Sequence, residues 1–211
     1  VQQDDSPAML VMEHGANGSL YTYLHSDQDI PWGLRLRLAE ELARGLAYLH
    51  GEKVVHRDIK SLNVVLDREL HAKWCDFGLA ALKLHTKTTT KQESQSAVGT
   101  LHWMAPELFA RKTSSPSTAS DIWALGMVFF ELASREIPYA TAMDRDQVKE
   151  WIKEGEGEDI PAECQTESPL LAGLMQRCWA DRMARPAASD IVAEFTSQDA
   201  LTPSASPFGK P

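Results

Sequence analysis

The chain has 211 residues, 43% hydrophobic and 24% charged, which is ordinary globular composition and rules out fibrous or largely disordered character. Thirty Asp and Glu against 21 Lys and Arg give a net charge of −9, which disfavours generic attraction to nucleic acid or to anionic lipid. The longest strongly apolar run, residues 122–130, stops at Glu131 and falls well short of the roughly 20 residues a membrane span requires. Cys75, Cys164 and Cys178 have no CxxC spacing, so a cysteine-rich zinc module is excluded and a reducing, cytoplasmic address is expected.

In chain order, residues 10–13 are predicted to form a buried strand, and residues 14–19, with two glycines, a turn into a short helix starting at Ser19. Leu38, Leu42, Leu46 and Leu49 recur at helical spacing from the Pro31 region, with Gly51 as the expected C-cap. Two short strands, 64–66 and 72–75, flank turn residues 67–70 and read as a hairpin. Residues 83–97 are polar and aperiodic, the pattern of a long functional loop. Residues 122–133 are apolar on nearly every face and predict a helix buried all round. Three amphipathic helices should follow, marked by Val148, Trp151 and Ile152, by Leu170, Leu171, Leu174, Met175 and Cys178, and by Ile191, Val192 and Phe195. Residues 196–211, rich in Pro, Ser and Thr, should be disordered.

A hairpin turn centred between Glu69 and Leu70 would place Asn63 opposite Asp76, about 5 Å apart. An amide oxygen and a carboxylate at the open end of a hairpin, with Asp58 upstream, make a site for a hard cation. Oxygen donors without His or Cys favour Mg²⁺ over zinc, and Mg²⁺ completes its shell with water and phosphate oxygens, which points to nucleotide chemistry.

The residues His56-Arg57-Asp58-Ile59-Lys60, then Asn63, Asp76-Phe77-Gly78 and Ala105-Pro106-Glu107, resemble in order and spacing the catalytic loop, metal motif and activation-segment end of protein kinases. The resemblance runs over about residues 8–195 and includes Asp121-Ile122-Trp123 with Gly126, and Cys178-Trp179 with Arg185-Pro186. Trp103-Met104-Ala105-Pro106-Glu107 and Cys178-Trp179 resemble the tyrosine-kinase-like group, while Lys60 and Gly99-Thr100 resemble its Ser/Thr-directed members. The implied architecture is a protein-kinase-like fold, a mainly α large lobe with small β-hairpins and a small β-rich lobe almost entirely missing. Residues 1–18 would be the remnant of the last small-lobe strand and hinge. Residues 19–195 would be the large lobe, with catalytic loop 56–63 and activation segment 76–107, and 196–211 the tail.

The resemblance also implies roles. Asp58 would accept or orient the substrate hydroxyl proton, Lys60 would stabilise the transferring phosphate, and Asn63 and Asp76 would hold Mg²⁺ on ATP. Met12 would be the gatekeeper, with the Glu13 carbonyl and the Gly15 amide bonding adenine and Val65 packing beneath it. His56 would stack with Phe77 on Asp121, and Glu107 would pair with Arg185. Arg57 would clamp a loop phosphate, on Ser96 first, then Ser94 or residues 86–90, and Thr100 completes the regulatory set. The partners implied are ATP and a protein substrate, with no nucleic acid and no membrane span; oligomeric state is left open. No GxGxxG and no Val-Ala-x-Lys occur, and Val1 is not an initiator Met, so a fragment with negligible kinase activity on its own is expected. The alternative is a truncated, non-catalytic kinase-like binding or scaffold module. Cys75 reads as a small packing residue, and His25, His50, His71, His85 and His102 as surface or packing residues without ligand spacing. The acidic run Glu150, Glu154, Glu156, Glu158 and Asp159 reads as a solvated face.

Overall fold

A computed structural model describes residues 14–76, 101–109 and 115–201. The expected strand at 10–13, the loop at 83–97 and residues 202–211 of the tail lie outside these. The described chain is mostly helical, and its only sheet is one antiparallel hairpin.

Ser19 caps the first short helix, α1 (Leu20–Leu24), by accepting the Thr22 amide at 3.1 Å. Helix α2 (Trp32–Gly51) buries Leu38, Leu42 and Leu46 on the predicted stripe. It runs through Gly51, and Glu52 takes the C-cap position expected of that glycine. Arg35, buried near its start, donates to the Ile30 carbonyl at 2.8 Å and the Ala133 carbonyl at 2.9 Å.

Strands β1 (Val64–Leu66) and β2 (Ala72–Trp74) pair as expected, but in a different register. Val64 faces Trp74, Val65 faces Lys73 and Leu66 faces Ala72, so Asn63 stands opposite Cys75, not Asp76. The cause is the turn. Leu70 donates to the Asp67 carbonyl at 3.2 Å and adopts φ 61°, and the Asp67 amide reaches the His71 carbonyl at 3.1 Å, giving a three-residue loop centred on Glu69 where a centre between Glu69 and Leu70 was expected. Asp67 stabilises that loop, its Oδ1 accepting the Glu69 and His71 amides.

Helix α3 (Thr118–Ser134) is the axis the apolar run predicts, with every residue of 120–133 buried. A Ser117/Ser120 capping box starts it and Arg135, at φ 60°, ends it. Gly126 lets Trp179 approach: a Cβ there would lie 2.7 Å from the indole nitrogen. Helix α4 (Arg145–Glu154) is capped by Asp144 and Gly155. A short helix with no counterpart among the sequence-based expectations, α5 (Ala162–Glu167), precedes α6 (Pro169–Cys178), which Ser168 caps. Helix α7 (Ala188–Leu201) continues past Phe195, where disorder was expected to set in, so the first part of that tail is helical. One core joins α1, α2, α3, α6, α7 and the hairpin.

Candidate active site

The loop between α2 and β1 is shaped by one buried carboxylate. Asp121, in the first turn of α3, accepts the His56 amide at 2.8 Å, the Arg57 amide at 2.9 Å and His50 Nε2 at 3.0 Å. His50 is therefore more than a surface residue. Arg57 sits at φ 71°, a strained backbone region for a side chain of its size, and the two amide bonds hold it there. His56 is fully buried, edge-on to Trp74 with ring centroids 5.5 Å apart. Burial lowers its pKa, against the opposing pull of Asp121 and Asp58, so it is held neutral. Its Nδ1 accepts the Asp58 amide at 3.4 Å.

These anchors aim three polar side chains at one point. Lys60 Nζ lies 2.8 Å and 3.0 Å from the two oxygens of Asp58. Asn63 Nδ2 donates to Asp58 Oδ2 and to the Asp58 carbonyl, both at 2.8 Å. Lys60 and Asn63 are buried, whereas the Asp58 carboxylate keeps partial access to solvent. With its amide nitrogen committed to Asp58, Asn63 has its amide oxygen left as the acceptor for a cation.

Asp76 follows the hairpin directly, one residue past the position opposite Asn63. The Cys75 amide donates to the Asn63 carbonyl at 2.9 Å, and Asp76 follows with φ 62°, exposed. Burial raises the Cys75 pKa, the Asp76 charge adds to that and Lys60 opposes it, so both charges act beside this thiol. The donor set is hard oxygen, which suits Mg²⁺ completed by phosphate and water. Among the described residues no group of three or more His, Cys, Asp and Glu forms a protein-only metal cage.

Gly15 and Val65 also meet: a Cβ on Gly15 would fall 2.7 Å from Val65 Cβ. Segment 15–19 lies along β1, Asn17 donating to the Leu66 carbonyl and Leu66 to the Gly18 carbonyl. Of the remaining expected site residues, Met12, Glu13, Phe77, Ser94, Ser96 and Thr100, together with residues 86–90, lie outside the described residues.

On the far side of the catalytic loop, Arg57 and Asp58 line a narrow cleft with Trp103 and Met104. Behind it, Glu107 accepts Arg185 Nη1 at 2.7 Å and Nη2 at 3.0 Å, a bidentate pair buried between segment 106–109 and the approach to α7. Sequence reasoning missed Glu131 of α3, which takes Ser61 Oγ at 2.6 Å and Trp103 Nε1 at 2.7 Å. A lone acid inside a run apolar on every face was the available signal.

The family model described as protein tyrosine and serine/threonine kinase matches residues 1–195. This chain belongs to the protein kinase family. Among curated kinases it is 33% identical to Serine/threonine/tyrosine-protein kinase HT1 of Arabidopsis thaliana, over 90% of this chain and 47% of that protein. It is 36% identical to Probable serine/threonine-protein kinase drkD of Dictyostelium discoideum, over 90% of this chain and 14% of that one. Receptor-interacting serine/threonine-protein kinase 1 of Homo sapiens is 31% identical, over 88% of this chain and 29% of its own length. The chain thus spans less than half the length of these relatives. The large-lobe architecture and the tyrosine-kinase-like resemblance of the sequence agree with this membership.

Proposed function

We propose that these residues form the catalytic half of a Ser/Thr protein kinase that transfers the γ-phosphate of ATP, with Mg²⁺, to a protein hydroxyl. The observation that carries this reading is the Asp58, Lys60 and Asn63 cluster, in which one carboxylate is held by an ammonium and an amide on a buttressed loop. Phosphoryl transfer needs little covalent help from the protein and much positioning and charge. Asp58, partly open to solvent and fixed in direction, orients the incoming hydroxyl and accepts its proton. Lys60 keeps that carboxylate in place and offers positive charge to the phosphoryl oxygens. Asn63 and Asp76 would hold Mg²⁺, which neutralises charge on the phosphates when bound. Gly15 brings main chain close to Val65, the packing a flat adenine ring requires, and Glu13 would supply the neighbouring carbonyl.

The same reading covers regulation. A phosphate on Ser96 would bring roughly −1.5 to −2 charge and draw charge-assisted bonds from Arg57, with Thr100 in the same regulatory set. Full activity of Ser96→Ala would remove that residue from the role. A signalling function in the cytoplasm is part of the proposal; among the described residues no helix is long and apolar enough to cross a membrane.

The decisive experiment joins the 211 residues to the glycine-rich loop and strand lysine of one of the relatives and follows radiolabelled phosphate from ATP to a Ser/Thr peptide. Asp76→Asn should abolish transfer with the melting temperature unchanged. Undiminished turnover of Asp76→Asn at saturating Mg²⁺ would refute the Asp76 assignment, and no transfer by the joined wild-type chain would return the binding-module reading.

A further inference from the structure

Glu131 is fully buried, yet no cation is among its hydrogen-bonding partners. Its two oxygens meet Ser61 Oγ at 2.6 Å and Trp103 Nε1 at 2.7 Å. Ser61 stands between Lys60 and Asn63 in the catalytic loop, and Trp103 belongs to the segment that leads to Glu107. The chemistry of the partners settles who donates. An indole N–H can only donate, so Oε2 is an acceptor, whereas a serine hydroxyl can do either. The 2.6 Å spacing to Ser61 is that of a short O–H···O bond.

Three considerations favour a proton on Oε1. A carboxylate buried without a cation is costly, and such a group ordinarily takes up a proton instead. Glu131 lies in the last turn of α3, where the negative end of the helix dipole opposes an anion. Burial also outweighs the bonds from the Ser61 hydroxyl, the Trp103 indole and the Ser61 main-chain amide, and lifts its pKa to about 8. The charged and titratable groups on the surrounding elements are engaged elsewhere: Lys60 with Asp58, His56 with the Asp58 amide, His102 with the Pro138 carbonyl at 2.6 Å, Glu107 with Arg185, and Arg35 with the Ile30 and Ala133 carbonyls. Cys178 of α6 is buried, with its thiol pKa raised to about 12, and stays uncharged.

We propose that Glu131 is a positioning residue which, as a neutral carboxylic acid donating to Ser61 and accepting from Trp103, couples the catalytic loop to segment 101–104. This rests on the kinase reading for its purpose, but its geometry is independent of it. Ionisation would remove the proton shared with Ser61 and loosen both segments together.

The test uses the 211-residue chain and no catalytic readout, so failure of the kinase assignment would leave it intact. Infrared spectra in D₂O at neutral pH should show the C=O band of a protonated carboxyl that Glu131→Gln removes and that fades as pH rises above about 8. In hydrogen exchange, Glu131→Gln, whose amide can donate to Ser61 and accept from Trp103, should keep wild-type protection at residues 58–63 and 101–104. Glu131→Ala should raise exchange in both segments about tenfold, the loss of one hydrogen bond's worth of protection. Trp103→Phe, which removes only the donor to Oε2, should raise exchange at 58–63 as well. Absence of the protonated band in the wild type, or exchange in Glu131→Gln as fast as in Glu131→Ala, would overturn the neutral-acid assignment. Unchanged protection at 58–63 in Trp103→Phe would overturn the coupling.

Discussion

Arg185→Ala removes the cation at the junction of segment 106–109 and the helical lobe, and its cost follows from what the guanidinium holds together. Arg185 is 2% exposed and Glu107 14%, so the Glu107 carboxylate left behind would have little water to turn to. The guanidinium also donates to the Ala119 carbonyl at 3.0 Å and the Ala180 carbonyl at 2.9 Å, and stacks over Trp123 at 5.0 Å. Breaking a buried pair by deleting one partner costs about 3–5 kcal/mol, mostly from the orphaned charge. For a chain of this size each kcal/mol moves the melting temperature by about 2–4 °C, so a drop of roughly 6–20 °C is expected. The control is Arg177→Ala, which breaks a pair with Glu194 whose side chains are 46% and 35% exposed. An exposed pair contributes about 0–1 kcal/mol, a shift of at most about 4 °C. Calorimetry of both variants decides the matter. Equal melting temperatures would show that Glu107 is solvated or re-paired once Arg185 is gone, and the argument from burial would fail.

Asp121→Ala should strip the acceptor from two buried amides and His50, at roughly 1–3 kcal/mol per orphaned donor, and unlock the strained Arg57; urea unfolding with exchange at the Arg57 amide checks this, and retained protection there would refute it. Glu131 also predicts a pH dependence. Its folded pKa of about 8 lies above the usual carboxyl value of 4.5, so the stability tied to its neutral form is complete below that value and is lost as pH rises through about 8, at close to 1.4 kcal/mol per pH unit. The stability difference between wild type and Glu131→Gln should therefore tilt against the wild type across that window, and parallel profiles in urea titrations would exclude it.

How much of this was legible in sequence follows from how local each signal was. The leucine stripe of α2 and the all-round apolar run of α3 are periodic patterns, and both helices formed where those patterns lie. The hairpin was legible as strand, turn, strand, but its register depends on where the turn is centred, and nothing about Leu70 signals that it adopts φ 61°. One residue of error moved the partner of Asn63 from Asp76 to Cys75. Proline, serine and threonine content argued for disorder after Phe195, yet α7 runs on to Leu201, because a helix already packed along α2 propagates at little further cost. Glu107 and Arg185 could be paired only through resemblance, since no local pattern links residues so far apart. Glu131 was visible only as an anomaly, because the meaning of a buried acid lies in what it touches.

The two acids of α3 show why such anomalies should be read by position as well as by burial. Asp121 sits in the first turn, where the helix dipole favours negative charge, and three N–H groups converge on it. Glu131 sits in the last turn, where the same dipole opposes charge, and the side chains that reach it are a hydroxyl and an indole, neither of them charged. One helix thus braces the same loop twice, through Asp121 at the His56 and Arg57 amides and through Glu131 at Ser61. The brace at Asp121 holds the strained Arg57 backbone beside Asp58, whereas the brace at Glu131 ties the same loop to Trp103. Under the proposed kinase function, an ionised Glu131 would set a further negative charge behind the loop that carries Asp58, and protonation at this position avoids that repulsion while keeping the packing.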